Sequence, residues 1–291
     1  MGPDRSVDRA TPWQPSDREL ARRAVRRRQR LRSIAISTGL ILAVAVVLSL
    51  VVTSSPGWPR FRETFLSWPD AKASFPAILD GFWINVQLFL VCEVFILVLG
   101  LAVALARNAR SPWLAPVRVA AVVYTDLFRG VPTILLILML GFGVPALQLQ
   151  GLPTDELFWA GVALVLSYGA YVAEVFRAGI DSIHPSQVSS AVALGLSRPQ
   201  ALRFVVVPQA VRRVVPPLLN DFVSLQKDTA LVSVVAVFDA VFAARDYTAY
   251  YFNYTPYVVV ACFFVALTVP LARYTDWLQR RWRERERAGA L

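Results

Sequence analysis

The 291-residue sequence holds one histidine, His184, two cysteines and two lysines. So few histidines and cysteines leave no ligand set at metal-binding spacing. No clustered nucleophile stands in for one, so the sequence offers no enzyme chemistry. We therefore assign no catalytic residue, no metal and no cofactor. Cys92 and Cys262 both fall inside apolar blocks and read as small buried hydrophobes, not as a disulfide framework. Neither Lys72 nor Lys227 follows a glycine, and the Gly-x-x-x-x-Gly-Lys-Ser/Thr phosphate cradle is missing. No internal repeat is visible.

What is abundant is apolar sequence. Hydrophobic residues make up 56% of the chain, against roughly 45–50% for soluble domains, and they come in blocks. A bilayer crossing takes about 20 such residues. The expected fold is an all-α integral membrane protein with six spans, at about residues 34–53, 82–106, 130–147, 157–178, 209–240 and 255–275. The fifth block carries Pro216, Pro217 and several charges, so a discontinuous segment is expected there. Residues 111–128 mix apolar residues with Arg118 and Asp126 and suggest an interfacial or membrane-dipping helix. Residues 1–33 and 276–291 read as Arg-rich cytoplasmic tails, the first 20 residues unstructured. Residues 54–81 read as an extracytoplasmic loop, and residues 82–275 as the main transmembrane domain.

Basic residues exceed acidic ones by 10, yet a nucleic-acid partner is not implied, because the charge does not form a folded basic face. Ten arginines precede the first apolar block and six follow the last. Residues 22–32 resemble a signal-peptide n-region, but the apolar run Ile34–Val52 is longer than the usual h-region, roughly 7–15 residues. It reads as an uncleaved first span. With both termini inside, the segments 1–33, 107–129, 177–213 and 273–291 carry 25 basic residues, against 4 in the outer segments. That asymmetry sets the orientation. Trp58, Trp68, Tyr250, Tyr251, Tyr254 and Tyr257 lie where the headgroup level is expected. Gly100 and Ala104, with Ala102 and Ala106, form small-xxx-small spacings suited to close helix packing.

Between the fourth and fifth blocks runs Pro185–Pro208, PSQVSSAVALGLSRPQALRFVVVP. Locally it reads helix, turn, helix. Gly195 is placed to accept a left-handed C-cap, Ser197 and Gln200 form a capping box, and Pro199 suits the first turn of the second helix. Pro208 is expected to interrupt the pattern. An amphipathic linker on the membrane surface is the alternative reading of this segment alone.

The segment resembles the cytoplasmic coupling loop of ABC importer permeases, whose pattern is Glu-Ala-Ala, three residues, Gly, nine residues, Ile-x-Leu-Pro. That register falls on Ser189, Ser190 and Ala191, then Gly195, then Val205, Val207 and Pro208, with Ser189-Ser190 replacing the family's Glu-Ala. The stretches Asp126-Leu-Phe-Arg129-Gly-Val-Pro132, Tyr171-Val-Ala-Glu174-Val-Phe-Arg177-Ala-Gly179 and Asn220-Asp221 through Lys227-Asp228-Thr229 are similar to the blocks around it in the polar amino acid branch (histidine, glutamine, glutamate and arginine types). Together they cover about Gly81 to Tyr274. The resemblance implies a permease subunit without catalysis of its own. Its implied partners are a second copy or a homologous permease, a cytoplasmic ATPase that binds the ATP, and an extracytoplasmic binding protein. It places the subunit in the cytoplasmic membrane, surrounded by lipid bilayer.

Ionisable groups inside spans are costly and default to function. The candidates for a pathway or gate are Glu93, Asp126, Arg129, Glu174, Arg177, Asn220, Asp221, Lys227 and Asp228, with Asp239 as a further buried charge. Glu174 and Arg177 stand i, i+3 and can pair on one helix. Lys227 and Asp228 are adjacent and point to different sides. Nothing local pairs with Glu93, and a carboxylate there would suit a cationic amino acid. A secondary transporter or channel would also show six spans and buried charge, but would have no use for a projecting hairpin.

Overall fold

The computed structural model describes residues 16–109 and 111–288. The chain divides into two compact units, Met1–Phe61 and Arg62–Leu291.

The first unit is dominated by α1, Asp17–Thr53, one uninterrupted helix of 37 residues. At 1.5 Å per residue it is about 55 Å long, well beyond a hydrocarbon core of about 30 Å. Every described side chain from Leu20 to Thr53 is exposed within the chain. The helix ends where Thr53 turns its hydroxyl back to the Ser49 carbonyl (2.7 Å) and Ser54-Ser55-Pro56-Gly57 follows. Residues 1–15 of the tail expected to be unstructured lie outside the described residues. Asp17–Leu20, expected to belong to that tail, form the first turn of α1.

Helix α2, Trp58–Phe65, leads into α3, Trp68–Arg107. The segment expected as a loop, residues 54–81, is therefore mostly helical. Ser67 at the N-cap, Pro69 in the first turn and Asp70 behind it start α3 some 14 residues before the apolar block. The hydrophobicity signal marked only the apolar part of a longer helix. Buried positions of α3, namely Ser74, Ile78, Gly81, Asn85, Phe89, Cys92, Ile96, Gly100 and Ala104, follow at steps of three and four and make one stripe. The part of that stripe from Phe89 onward packs on α7, Glu156–Asp181. A Cβ on Gly100 would meet Val172 Cγ1 at 2.5 Å, so the small-residue spacing does serve close packing.

Helix α4, Ala115–Gly130, occupies the stretch for which a helix was expected. It is followed by α5, Thr133–Gly141, and the single turn α6, Gly143–Ala146. The chain bends by 101° between the α4 and α5–α6 segments, at Val131-Pro132, where Pro132 disfavours a helical Val131. Helix α8, Pro185–Ala193, and the turn α9, Arg198–Ala201, come next. A π-helical turn, Leu202–Val206, joins α9 to α10, Val207–Asp228. A 3₁₀ segment, Thr229–Val235, then precedes α11, Ala240–Tyr251, and α12, Thr255–Ala288.

Two expectations change here. The fifth block is discontinuous, but not at Pro216-Pro217, which lie inside α10. The carbonyls these prolines leave free belong to Arg212 and Arg213, both exposed, so the loss is tolerated. The break falls instead at Thr229–Asp239, where Ala236 adopts φ 62°. Among the described residues four helical runs are long and apolar enough to span, or five with the bent pair, against six expected. Arg212, Arg213, Asn220, Asp221, Lys227 and Asp228 make α10 too polar to count. Cys92 is buried as expected, whereas Cys262 is exposed on α12.

The main core of the second unit joins α3, α5, α7, α10 and the 3₁₀ segment through Phe89, Ile96, Ile137, Leu164, Val172, Leu225 and Val232. A second cluster seats α11 and α12 against Ile78 of α3, with the Phe82 ring tilted on Phe263 and edge-on to Phe264.

Candidate functional site

The hairpin has the geometry its sequence predicts. His184 caps α8, its Nδ1 accepting from the Ser186 backbone N–H at 3.2 Å, and Pro185 takes the first position. At the other end Gly195 has φ +90°. The Gly195 N–H donates to the Val192 carbonyl (2.9 Å), and the Leu196 N–H reaches back to the Ala191 carbonyl (3.1 Å). These are the paired bonds of a Schellman C-cap. The Gln200 half of the capping box is present, with the Ser197 N–H donating to Gln200 Oε1 at 2.8 Å. Ala191 is buried, while Ser189 and Ser190 face outward. Ser189 turns its hydroxyl to the Pro185 carbonyl (3.3 Å). Leu194, at the tip, is 86% exposed.

The expected interruption at Pro208 takes another form. The helix does not stop. The π turn Leu202–Val206 ends where Pro208 enters the first turn of α10, and its wider loop accommodates a residue without an N–H donor. Of the register positions Val205 and Val207, the first lies in the π turn and the second opens α10, 52% exposed. Gln209 ties the two arms, donating to Gln187 Oε1 and to the Val205 carbonyl, both at 3.0 Å. The Arg213 guanidinium donates to the Ser182 carbonyl. Gln209 thus bonds the hairpin to α10, and Arg213 bonds α10 to the end of α7.

Beside it is an ionic cluster. Glu174 pairs with Arg177 as its spacing predicts, and Arg177 also reaches Asp181 at 2.6 Å. Sequence reasoning missed that Glu174 also receives Arg107, at the end of α3, at 2.8 Å, with Arg129, from the end of α4, at 3.9 Å. Arg129 lies over the Tyr171 ring, 5.7 Å from its centroid. One carboxylate thus gathers cations from three helices. The signal was available: Arg107 and Arg129 are the basic residues ending two apolar segments. Asp126 is exposed and outside the cluster.

Further along the bundle, the ring of Phe89 on α3 meets that of Phe222 on α10 at a tilt of 58°, with centroids 4.6 Å apart. Glu93 and Asp221, on the same two helices, interact electrostatically. Asp221 Oδ2 is buried and has no hydrogen-bond partner among the described residues. Asn220 and Lys227 are exposed. Asp228 accepts from the Tyr168 hydroxyl at 2.7 Å, so Lys227 and Asp228 do point to different sides. Asp239 is fully buried. It caps α11, accepting from the Phe242 N–H (2.8 Å), and accepts from Asn85 Nδ2 (3.0 Å). Asn85 also donates to the Thr229 carbonyl and accepts from the Ala240 N–H. This knot fastens the break after α10 to α3. Asn85, an amide inside an apolar run, was its overlooked signal.

Long apolar helices, a broken polar helix and a capped hairpin bonded to the bundle define a multi-pass membrane protein with a structured helical projection. Residues 96–284 match the family model described as the inner membrane component of binding-protein-dependent transport systems, and the chain belongs to that family. It is 32% identical over 214 residues to the probable glutamine ABC transporter permease protein GlnM of Bacillus subtilis, covering 72% of this chain and 94% of the relative. It is 33% identical to the arginine transport system permease protein ArtQ of the same organism, covering 64% and 83%. It is 30% identical to the glutamine transport system permease protein GlnP of Escherichia coli, covering 74% and 96%. Among solved structures, a chain of an amino acid ABC transporter crystallised with histidines superposes with a TM-score of 0.67 at 26% identity, covering 74% of this chain and 98% of that one. A chain of the MetNI methionine ABC transporter in its inward-facing form shares the fold, with a TM-score of 0.58 at 20% identity, covering 74% and 99%. The protein is an inner-membrane permease subunit of an ABC importer.

Proposed function

We propose that the chain carries a polar amino acid into the cell, paired with a second copy or a homologous permease. It has no catalytic residue of its own, and the hydrolysed ATP sits in a separate subunit. The observation that carries this reading is the hairpin α8–α9. Its Gly195 cap and its bond through Gln209 to α10, which Arg213 in turn ties to the end of α7, support a rigid extension of both helices, so a push on it moves them together. The residues bearing on the ATPase are Ser189, Ser190, Ala191, Gly195, Val205, Val207 and Pro208. A binding protein delivers substrate from the other side. The 25-to-4 bias in basic residues supports a cytoplasmic hairpin with both termini cytoplasmic. The named relatives carry arginine and glutamine, which supports an amino acid cargo here.

Glu93 and Asp221 narrow that cargo. Two carboxylates on facing helices, one with a bare buried oxygen, are suited to a cationic group in transit. Glu174, with Arg107, Arg129 and Arg177, acts as the gate-side lock holding three helix ends together.

The test is reconstitution of the chain with its ATPase and binding protein in liposomes, followed by ATP-dependent uptake of labelled amino acids. Gly195→Pro, inserted and folded, abolishes uptake on this reading. ATP-independent uptake by the chain alone would instead favour a secondary transporter.

A further inference from the structure

The first unit has a feature that the transport reading leaves unused. From Arg22 to Arg32 the sequence RRAVRRRQRLR holds seven arginines, and no acidic residue occurs between Glu19 and Glu63. The segment is helical and continuous with the apolar stretch that begins at Ile34, with no break in α1. The side chains of Arg22, Arg26, Arg27, Arg28, Arg30 and Arg32 are all exposed. The family match begins only at residue 96, so α1 stands outside it.

Distance and direction select the partner. Arg26 to Arg32 span about 9 Å along the axis at 1.5 Å per residue. The headgroup layer on each side of a bilayer is of similar depth, about 5–8 Å. Five arginines therefore stand at headgroup level once Ile34 enters the hydrocarbon. At about 100° per residue these five arginines spread over about two-thirds of the helix circumference. An amphipathic helix lying flat would confine its charge to one face. A span ringed by lipid would use all of it. Guanidinium groups bind phosphate bidentately, and their charge matches an anionic leaflet. A second copy of α1 is disfavoured as neighbour, because it would bring an equal positive cluster alongside.

We propose that the two turns Arg26–Arg32 of α1 form a binding ring for the phosphate groups of anionic lipid headgroups, fixing this helix in leaflets rich in such lipid. The ring is independent of the transported substrate and of the ATPase.

The test uses the purified full chain in detergent, where membrane orientation has no influence. It is offered equal amounts of fluorescent phosphatidylglycerol and phosphatidylcholine, and the lipid retained after washing is measured. The expected result is a preference for phosphatidylglycerol of about threefold or more that fades in high salt. Changing residues 26, 27, 28, 30 and 32 together to Gln removes the preference, while changing them to Lys keeps most of it. Equal retention of the two lipids by the unmodified chain overturns the proposal. So does a preference that survives the Gln changes, which would place the site elsewhere. Displacement of phosphatidylglycerol by a stoichiometric short RNA overturns it too, making the ring a nucleic-acid contact. The Lys variant separates loss of charge from loss of folding.

Discussion

Arg107 at the end of α3 reaches Glu174 on α7 at 2.8 Å, and the same carboxylate holds Arg177 and faces Arg129. Glu174→Gln keeps the shape and removes the charge. The side chain of Glu174 is 23% exposed, which discounts the full cost of breaking a buried pair. The expected loss is about 1–3 kcal/mol, read as a lower melting temperature of the purified chain. Uptake should fall further than the lost stability explains if the cluster is a lock.

Gly195 tests the hairpin with little interference from packing. An added Cβ would meet nothing within 4 Å, but φ is +90°. Gly195→Ala should cost about 1 kcal/mol of local strain, and Gly195→Asn less, because Asn tolerates left-handed backbone. The measurement is ATP hydrolysis stimulated by substrate-loaded binding protein. The order Gly, Asn, Ala is the expected ranking.

Asn85 and Asp239 make a separate test of stability. Asn85→Ala leaves Asp239 Oδ2, the Thr229 carbonyl and the Ala240 N–H without their partner in a fully buried knot. A loss of about 2–4 kcal/mol is expected. Gly81→Ala attacks the same place from the other side, since its Cβ would lie 2.4 Å from the Asp239 carbonyl carbon. Thermal unfolding of both variants should show large, non-additive shifts.

The contact of α3 with α7 predicts a rescue. Gly100→Ala pushes a methyl into Val172 and should destabilise by about 1–3 kcal/mol. Val172→Ala opens that space, so the double variant should recover part of the loss in thermal unfolding. If the double variant is as unstable as the sum of the two single ones, the helices are not held by this contact.

Charge selectivity is tested by Glu93→Gln and Asp221→Asn. Uptake of arginine should lose affinity by about tenfold or more in each, with glutamine uptake affected less. Equal losses for both substrates would remove the carboxylate pair from the selectivity argument.

Much of this was legible in the sequence where a single residue type dictates local geometry. Gly195, Ser197 and Gln200 announced the hairpin, because a left-handed cap favours a residue without a Cβ and a capping box needs polar side chains three apart. The Glu174–Arg177 pair followed from helical spacing. Helix ends were less legible. Hydropathy sees side chains, whereas α3 begins at Trp68 through Ser67, Pro69 and Asp70, polar residues that favour a helix start without being apolar. The break after α10 was misplaced at Pro216-Pro217 for the opposite reason. Proline signals loss of a bond, but only the tertiary setting shows whether the bond is missed. Glu174 as a meeting point for three helices, and Asn85 with Asp239, depend on contacts across 67 and 154 residues, which no local pattern encodes.

The π turn Leu202–Val206 carries one further implication. Such a turn holds one residue more than an α-helix needs over the same rise. Deleting a single residue there would restore ordinary winding over the same rise, so the tip at Leu194 would keep its bearing and every span its register. What would be lost is the room at Pro208, whose ring would then meet the carbonyl one ordinary turn before it. The extra residue serves the proline, and its removal should be felt as a kink where the chain re-enters the bundle.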